Sequence, residues 1–289
     1  MARPQVTALQ ETVSSRAEGA RVRSVGDFEA EVMGDGEPVV VIQTALTADE
    51  LRPLAQHISR SGGYQVIHYH RRGYAGSEPL LHPASVIQEV ADCRALLEML
   101  QISSAHVVGA SYSAAIALTL ASLAPDTVRT LTVMEPPPLG VPSESEFREV
   151  SSRLMESFAA KGAQVALDEF CTMLVGADWR RESERDLPGS VAAMERDAVT
   201  FFASDLPALL DWDFGARDAA RVRCPVLFVG GSDSGPWFAQ VRSRIQQLLP
   251  QAEDTVVAGA GHLMASTHPA AVAEIVVDFL RRHRRSEPR

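Results

Sequence analysis

"VVGASYSAA", residues 107–115, decides how the rest of this chain is read. The apolar run "AHVVGA" (105–110) ends just before Ser111, and the alanine-rich run "YSAAIALTLASLA" (112–124) begins just after it. A short apolar run leading into a longer one of helix-forming residues reads as a buried strand entering a helix. Gly109 and Ser113 lie two residues to either side of Ser111. Small residues at those places let a backbone bend sharply from strand to helix and lift the central side chain clear of the turn. Two readings of Ser111 follow. It caps the helix with its hydroxyl, or it is presented as a nucleophile. A hydroxyl attacks only with a base to take its proton, a group to orient that base and donors for the oxyanion formed. The partners therefore decide between the two.

Outward from this stretch, strand-like and helix-like segments alternate. The strand runs are "PVVVIQ" (38–43), "YQVIHYH" (64–70), "VRTLTVME" (128–135), "CPVLFVGG" (224–231) and "DTVVAG" (254–259). Helical spacing recurs at 48–60, 83–100, 236–249 and 269–283. Strands apolar on both faces that alternate with helices predict an α/β fold, a mostly parallel sheet covered by helices on both faces. Before it, "RVRSVGDFEAEVMGDGEPVVVI" has short turns that suggest an antiparallel pair of strands. Residues 141–215 contain several helical segments and no convincing strand, and they read as a helical lid over one end of the sheet. The expected organisation is a loose tail at 1–20, a core at 21–140 and 216–285, the lid at 141–215, and a C-terminal tail at 286–289.

The composition narrows the class. Hydrophobic residues make up 46% of the 289 and charged residues 22%, as in a globular protein with a sizeable core. A net charge of -10 argues against a nucleic-acid or anionic-membrane partner. Three dispersed cysteines suggest neither a disulfide framework nor a paired-cysteine metal site. Neither a signal-peptide pattern nor a bilayer-length apolar run is present, so a cytoplasmic protein acting on a small molecule is expected. Association into a homo-oligomer is compatible with the sequence.

Two further loops supply partners for Ser111. Asp233 follows the strand in "VLFVGGSDSG" (226–235), and His262 follows the next strand in "VVAGAGHLM" (256–264). Each of the three residues follows a strand of one parallel sheet, so all three belong at one edge. With "RRGYAGS" (71–77), these stretches resemble the α/β-hydrolase superfamily over about residues 21–285. The resemblance implies an eight-stranded, mostly parallel sheet with a helical cap inserted after the sixth strand, where 141–215 lies. It implies Ser111 as nucleophile, His262 as general base and then acid, and Asp233 as the group that orients the imidazole. Glu135 in "VMEPPP" is the alternative acid, at an edge where some relatives keep theirs.

The resemblance also places an oxyanion hole at the backbone N–H of Tyr112 and of Ala45, with Leu46 as the alternative to Ala45. Many relatives carry His-Gly in the loop after the first core strand. This chain has Gln43 and Thr44 there. Gln43, Thr44, Leu46 and Glu135 are expected to border the substrate. His68 and His70, two apart on one strand, share a face, but no third ligand has a recognisable spacing, so no metal is expected. No nucleotide-binding loop occurs, and no cofactor is expected. The implied activity is a serine hydrolase acting on a small, mostly apolar ester, lactone, thioester or related carbonyl compound. The alternatives are a ligand-binding or receptor-like protein of the same fold, and carbon–carbon hydrolysis, perhydrolysis or acyl transfer on the same triad.

Overall fold

A computed structural model describes residues 14–15 and 20–284. The chain forms strands β1 (Ser14–Ser15), β2 (Ala20–Val25), β3 (Phe28–Met33) and β4 (Glu37–Ile42), then helix α1 (Arg52–Arg60) and β5 (Tyr64–Tyr69). Helix α2 (Val86–Met99), β6 (Ala105–Ala110), α3 (Tyr112–Leu123) and β7 (Val128–Met134) follow. Five helices come next: α4 (Glu144–Lys161), α5 (Ala163–Leu174), α6 (Trp179–Asp186), α7 (Ser190–Thr200) and α8 (Leu206–Leu210). A π-helical turn, Phe201–Asp205, joins the last two. The chain closes with α9 (Ala216–Ala219), β8 (Val226–Gly231), α10 (Pro236–Leu248), β9 (Glu253–Val257), α11 (Met264–Thr267) and α12 (Pro269–Arg282). The expected tails lie outside the described residues, apart from Ser14, Ser15 and Ala20.

The strands form one sheet in the order β1-β2-β3-β5-β4-β6-β7-β8-β9. The first three pair antiparallel, β3 joins β5 antiparallel, and every later pairing is parallel. The ninth strand, one more than the expected eight, is the two-residue β1 at the antiparallel edge. Alternate residues of the strands feed two cores. Val40, Ile42, Val107 and Phe228 pack against α2, α3 and α10, while Val39, Val41, Val108 and Val229 pack against α1 and α12. This is the two-sided burial that made each strand an uninterrupted apolar run. Helix α3 is buried on nearly every face, which explains its lack of an amphipathic pattern.

From β4 the chain crosses to β5 on one side, then returns past β4 to β6 on the other. The strand order reverses between β4 and β6, and the loops at their C-terminal ends diverge to leave a crevice. Residues 43–51 leave β4 on one side of that crevice, and Ser111 leaves β6 on the other. The inserted helices have a small core of their own, with Leu154, Leu167, Trp179, Met194, Phe201 and Phe202, and Leu46 of the β4 loop joins it. Among the described residues, no helix is long and apolar enough to cross a membrane.

Candidate active site

Ser111 has φ 50° and ψ -119°, outside the regions an L-residue ordinarily occupies. Its side chain makes no capping hydrogen bond, so the helix-cap reading fails. Strain of this kind persists where the surroundings fix the turn, and here two neighbours do so. A Cβ on Gly109 would lie 2.3 Å from the carbonyl oxygen of Ser113, so only glycine fits. Ser113, which departs from the usual glycine, is fully buried and stitches the turn. Its Oγ accepts from the Ala110 N–H at 2.9 Å and lies 3.0 Å from the Ala110 carbonyl.

His262 sits in the loop after β9 and stacks on Phe238, with ring centroids 4.0 Å apart. Its Nδ1 lies 2.8 Å from Oε2 of Glu135, at the end of β7. Glu135 is buried, and its Oε1 accepts from the Gly231 N–H at 2.8 Å. Its backbone is left-handed, with φ 42°. The imidazole that donates from Nδ1 to this carboxylate keeps a lone pair on Nε2, the form a general base requires.

The expected acid, Asp233, is therefore corrected. Its carboxylate accepts from the Ser232 hydroxyl at 2.7 Å and is exposed, while its N–H donates to the Ala260 carbonyl. Asp233 shapes the loop that carries His262, and Glu135 is the carboxylate that touches the imidazole. Glu135 also leaves the list of substrate contacts. The paired glycines of "FVGGSD" serve Glu135 too. Gly231 donates to it, and a Cβ at that position would strike the Ala260 carbonyl at 2.2 Å.

Ser111 and His262 border one cavity of about 300 Å³ at the crevice. Its walls are mostly apolar and include Leu46, Leu154, Phe170, Met194 and Phe238. Thr44 and Ala45 also line it, but the Thr44 hydroxyl is engaged by the Ala110 carbonyl at 2.8 Å. Gln43 is corrected: it is fully buried behind the loop, with Oε1 accepting from the Arg71 N–H at 2.7 Å. The Leu46 N–H donates to the Tyr74 hydroxyl and is not free to serve as an oxyanion donor. Ala45 and Tyr112 border the same cavity as Ser111, and their amides donate to no other group among the described residues.

Sequence reasoning missed two features. Arg71 is fully buried, with its guanidinium 2.5 Å from Glu89, 2.5 Å from Asp205, 3.1 Å from the Gln43 carbonyl and 3.3 Å from the Thr44 carbonyl. Asp205, in the π-helical turn, also accepts from the Tyr74 hydroxyl. One signal was legible, an acid inside the apolar stretch "FFASDLP" (201–207). The second missed residue is Glu50, which faces the cavity, and whose carboxylate has no hydrogen-bond partner among the described residues. Burial pushes its carboxyl up to about 7, and nearby His262 offsets part of that rise. In the sequence "TADEL" reads only as acids at a helix start.

A metal was not expected, because His68 and His70 lacked a third ligand. The structure brings Asp49 beside them.

A strained serine at a strand–helix turn, a carboxylate-bound histidine and free amides at a sheet switch point together define an α/β-hydrolase site. Residues 38–269 match the family model for the alpha/beta hydrolase fold, and the chain belongs to that family. Among curated proteins it is 28% identical over 251 residues to one named as a carbamate hydrolase, RutD of Enterobacter cloacae, covering 85% of this chain and 92% of that one. Among solved structures it resembles the enol-lactonase from Burkholderia xenovorans, with a TM-score of 0.74 at 20% identity over 91% of this chain and 98% of that one. An alpha/beta hydrolase from Sphaerobacter thermophilus superposes with a TM-score of 0.69 at 26% identity, covering 94% of this chain and all of that one.

Proposed function

We propose that this chain is a serine hydrolase of small, mostly apolar carbonyl compounds (esters, lactones, thioesters or carbamates) that works through an acyl-enzyme. The observation that carries this reading is the strained Ser111, sharing an apolar cavity with an imidazole held by buried Glu135. Relatives named for carbamate and lactone hydrolysis support the same bond class.

In this mechanism His262 Nε2 takes the Ser111 proton as Oγ bonds to the substrate carbonyl carbon. The carbonyl electron pair moves onto oxygen, where the Ala45 and Tyr112 amides stabilise it. Collapse of this intermediate breaks the bond to the leaving group, which receives the proton from His262. Water then attacks the acyl-enzyme by the same route in reverse and frees Ser111. Glu135 keeps the imidazole in the productive tautomer and stabilises its charged form. The inserted helices cover the cavity as a cap, and its walls favour apolar acyl groups.

The test is labelling with a small fluorophosphonate, followed by peptide mapping. A single adduct on Ser111 is expected, lost in Ser111→Ala and slowed at least a thousandfold in His262→Ala. A folded protein that takes no label, or takes it elsewhere, overturns the reading in favour of a ligand-binding role.

A further inference from the structure

Outside the cavity, the end of β5 meets the turn before α1. Ligand atoms of Asp49, His68 and His70 all lie within 4.8 Å of one another. His70 Nε2 is 2.9 Å from Asp49 Oδ1, and its Nδ1 is 2.8 Å from Glu29 Oε2. His68 is 1% exposed, sits edge-on to His70 with ring centroids 5.4 Å apart, and its Nε2 has no hydrogen-bond partner among the described residues. A polar atom left unpaired in the interior is costly, and native structures rarely keep one without a purpose.

We propose that Asp49, His68 and His70 bind a divalent transition-metal ion, with zinc the best match, and that Glu29 orients His70 from outside the coordination sphere.

Two imidazoles and one carboxylate form a three-ligand set of the kind zinc takes, with a fourth position left to water. Glu29 on Nδ1 leaves His70 Nε2 to face the ion, the carboxylate–histidine–metal arrangement that fixes ring orientation and raises ligand basicity. A carboxylate lies against each ring nitrogen of His70. As a divalent ion takes its place between Nε2 and Asp49, any proton on Nε2 passes to solvent. The surrounding charge suits this exchange. Glu29, Glu31 and Asp49 supply three carboxylates, Arg52 is paired with Glu31, and Arg196 is paired with Asp197. Zinc–ligand bonds of about 2.0–2.1 Å set ligand atoms roughly 3.3 Å apart, so the widest pair must close by about 1.5 Å. Asp49, whose side chain is 40% exposed, has room to make that movement. The bound ion ties the loop carrying Ala45 to β5, a structural clip separate from the serine chemistry.

The full chain is stripped with a chelator, checked for retained melting behaviour, and titrated calorimetrically with Zn²⁺ and spectroscopically with Co²⁺. The expected result is one equivalent bound, a Co²⁺ visible band of four- or five-coordinate intensity, and a raised melting temperature. Asp49→Asn and His68→Asn each lower affinity at least a hundredfold, Glu29→Gln lowers it 10–100-fold, and His82→Asn, at an exposed position, leaves it unchanged. A folded wild-type chain that binds no stoichiometric ion, or gives only a six-coordinate Co²⁺ spectrum, overturns the proposal even where a variant does not fold. Binding unchanged in both Asp49→Asn and His68→Asn overturns it equally.

Discussion

Glu135→Gln separates the observed arrangement from the one the motif spacing suggested. The Gly231 N–H donates to Oε1 at 2.8 Å, so a glutamine keeps its carbonyl oxygen there and turns its NH₂ toward His262 Nδ1, which lies 2.8 Å from Oε2 in the native protein. An amide donating to Nδ1 forces the ring proton onto Nε2, which can then no longer accept from Ser111. The imidazolium formed during acylation also loses its countercharge. In a serine protease triad, the equivalent change lowers kcat by about 10⁴. A loss of 10³–10⁴ is expected here, roughly 4–5.5 kcal/mol of barrier at 1.36 kcal/mol per decade. Asp233→Asn, at an exposed turn, is expected to change the rate less than twofold. The assay is kcat/KM on a short-chain p-nitrophenyl ester, with the second-order rate of fluorophosphonate labelling read by intact mass. Melting curves accompany both, because Glu135→Gln is expected to stay folded. If Glu135→Gln keeps its rate within tenfold while Asp233→Asn collapses, the assignment of the acid is wrong.

Ser111→Gly relieves backbone strain worth about 1–3 kcal/mol; chemical denaturation should show a more stable protein that takes no fluorophosphonate. Ser113→Ala leaves the buried Ala110 N–H without its partner, so unfolding free energy should fall by roughly 1–3 kcal/mol. Arg71→Met strands Glu89 and Asp205 without a cation, a loss of about 3–5 kcal/mol by urea melts, with slowed Ser111 labelling wherever the protein still folds. Burial pushes the Glu89 carboxyl up to about 7, against the pull of Arg71. Its folded pKa exceeds its unfolded one, so the native state holds the extra proton: this contribution is full below about 4.5 and declines as pH rises through 7, by at most about 3 kcal/mol. The difference in stability between Glu89→Gln and wild type, followed from pH 4.5 to 8, should move in favour of the variant.

Much of the fold was legible because burial on both faces leaves a direct mark on a strand. Val39, Val40, Val41 and Ile42 are all buried, and no half-exposed strand would carry four such residues in a row. Ser111 was legible because Gly109 and Ser113 are there to accommodate its turn. The acid was harder to place. β7 and β8 are neighbours, so Glu135 and Asp233 leave the same edge of the sheet, and strand order alone cannot say which carboxylate reaches the imidazole. Burial decides between them. Glu135 follows a mostly buried strand and is itself 2% exposed, where an unpaired carboxylate would be prohibitively costly, whereas Asp233 can be satisfied by its own turn and by water. The Asp49–His68–His70 cluster was hidden for another reason. Asp49 and His70 are 21 residues apart, and the parallel pairing of β4 with β5 brings them together, which no local spacing encodes.

The loop without His-Gly is held by a different route. The Gln43 side chain and carbonyl and the Thr44 carbonyl are all bound to Arg71, the Thr44 hydroxyl to Ala110, and the Leu46 N–H to Tyr74. The Ala45 carbonyl accepts from Thr47. Each neighbouring group is engaged, whereas the Ala45 N–H has no partner among the described residues, and Ala45 borders the cavity. Leu46 is held at φ 64° by the Tyr74 hydroxyl, in a conformation that glycine would otherwise supply. Arg71 and Tyr74 in turn both rest on Asp205, which belongs to the inserted helices. In the proposed mechanism the inserted helices therefore do more than enclose the substrate: through one buried carboxylate they hold the loop that would carry an oxyanion donor. Loosening the cap at Asp205 should weaken the developing oxyanion's stabilisation, worth about 3–4 kcal/mol per donor, without altering a single cavity-lining residue.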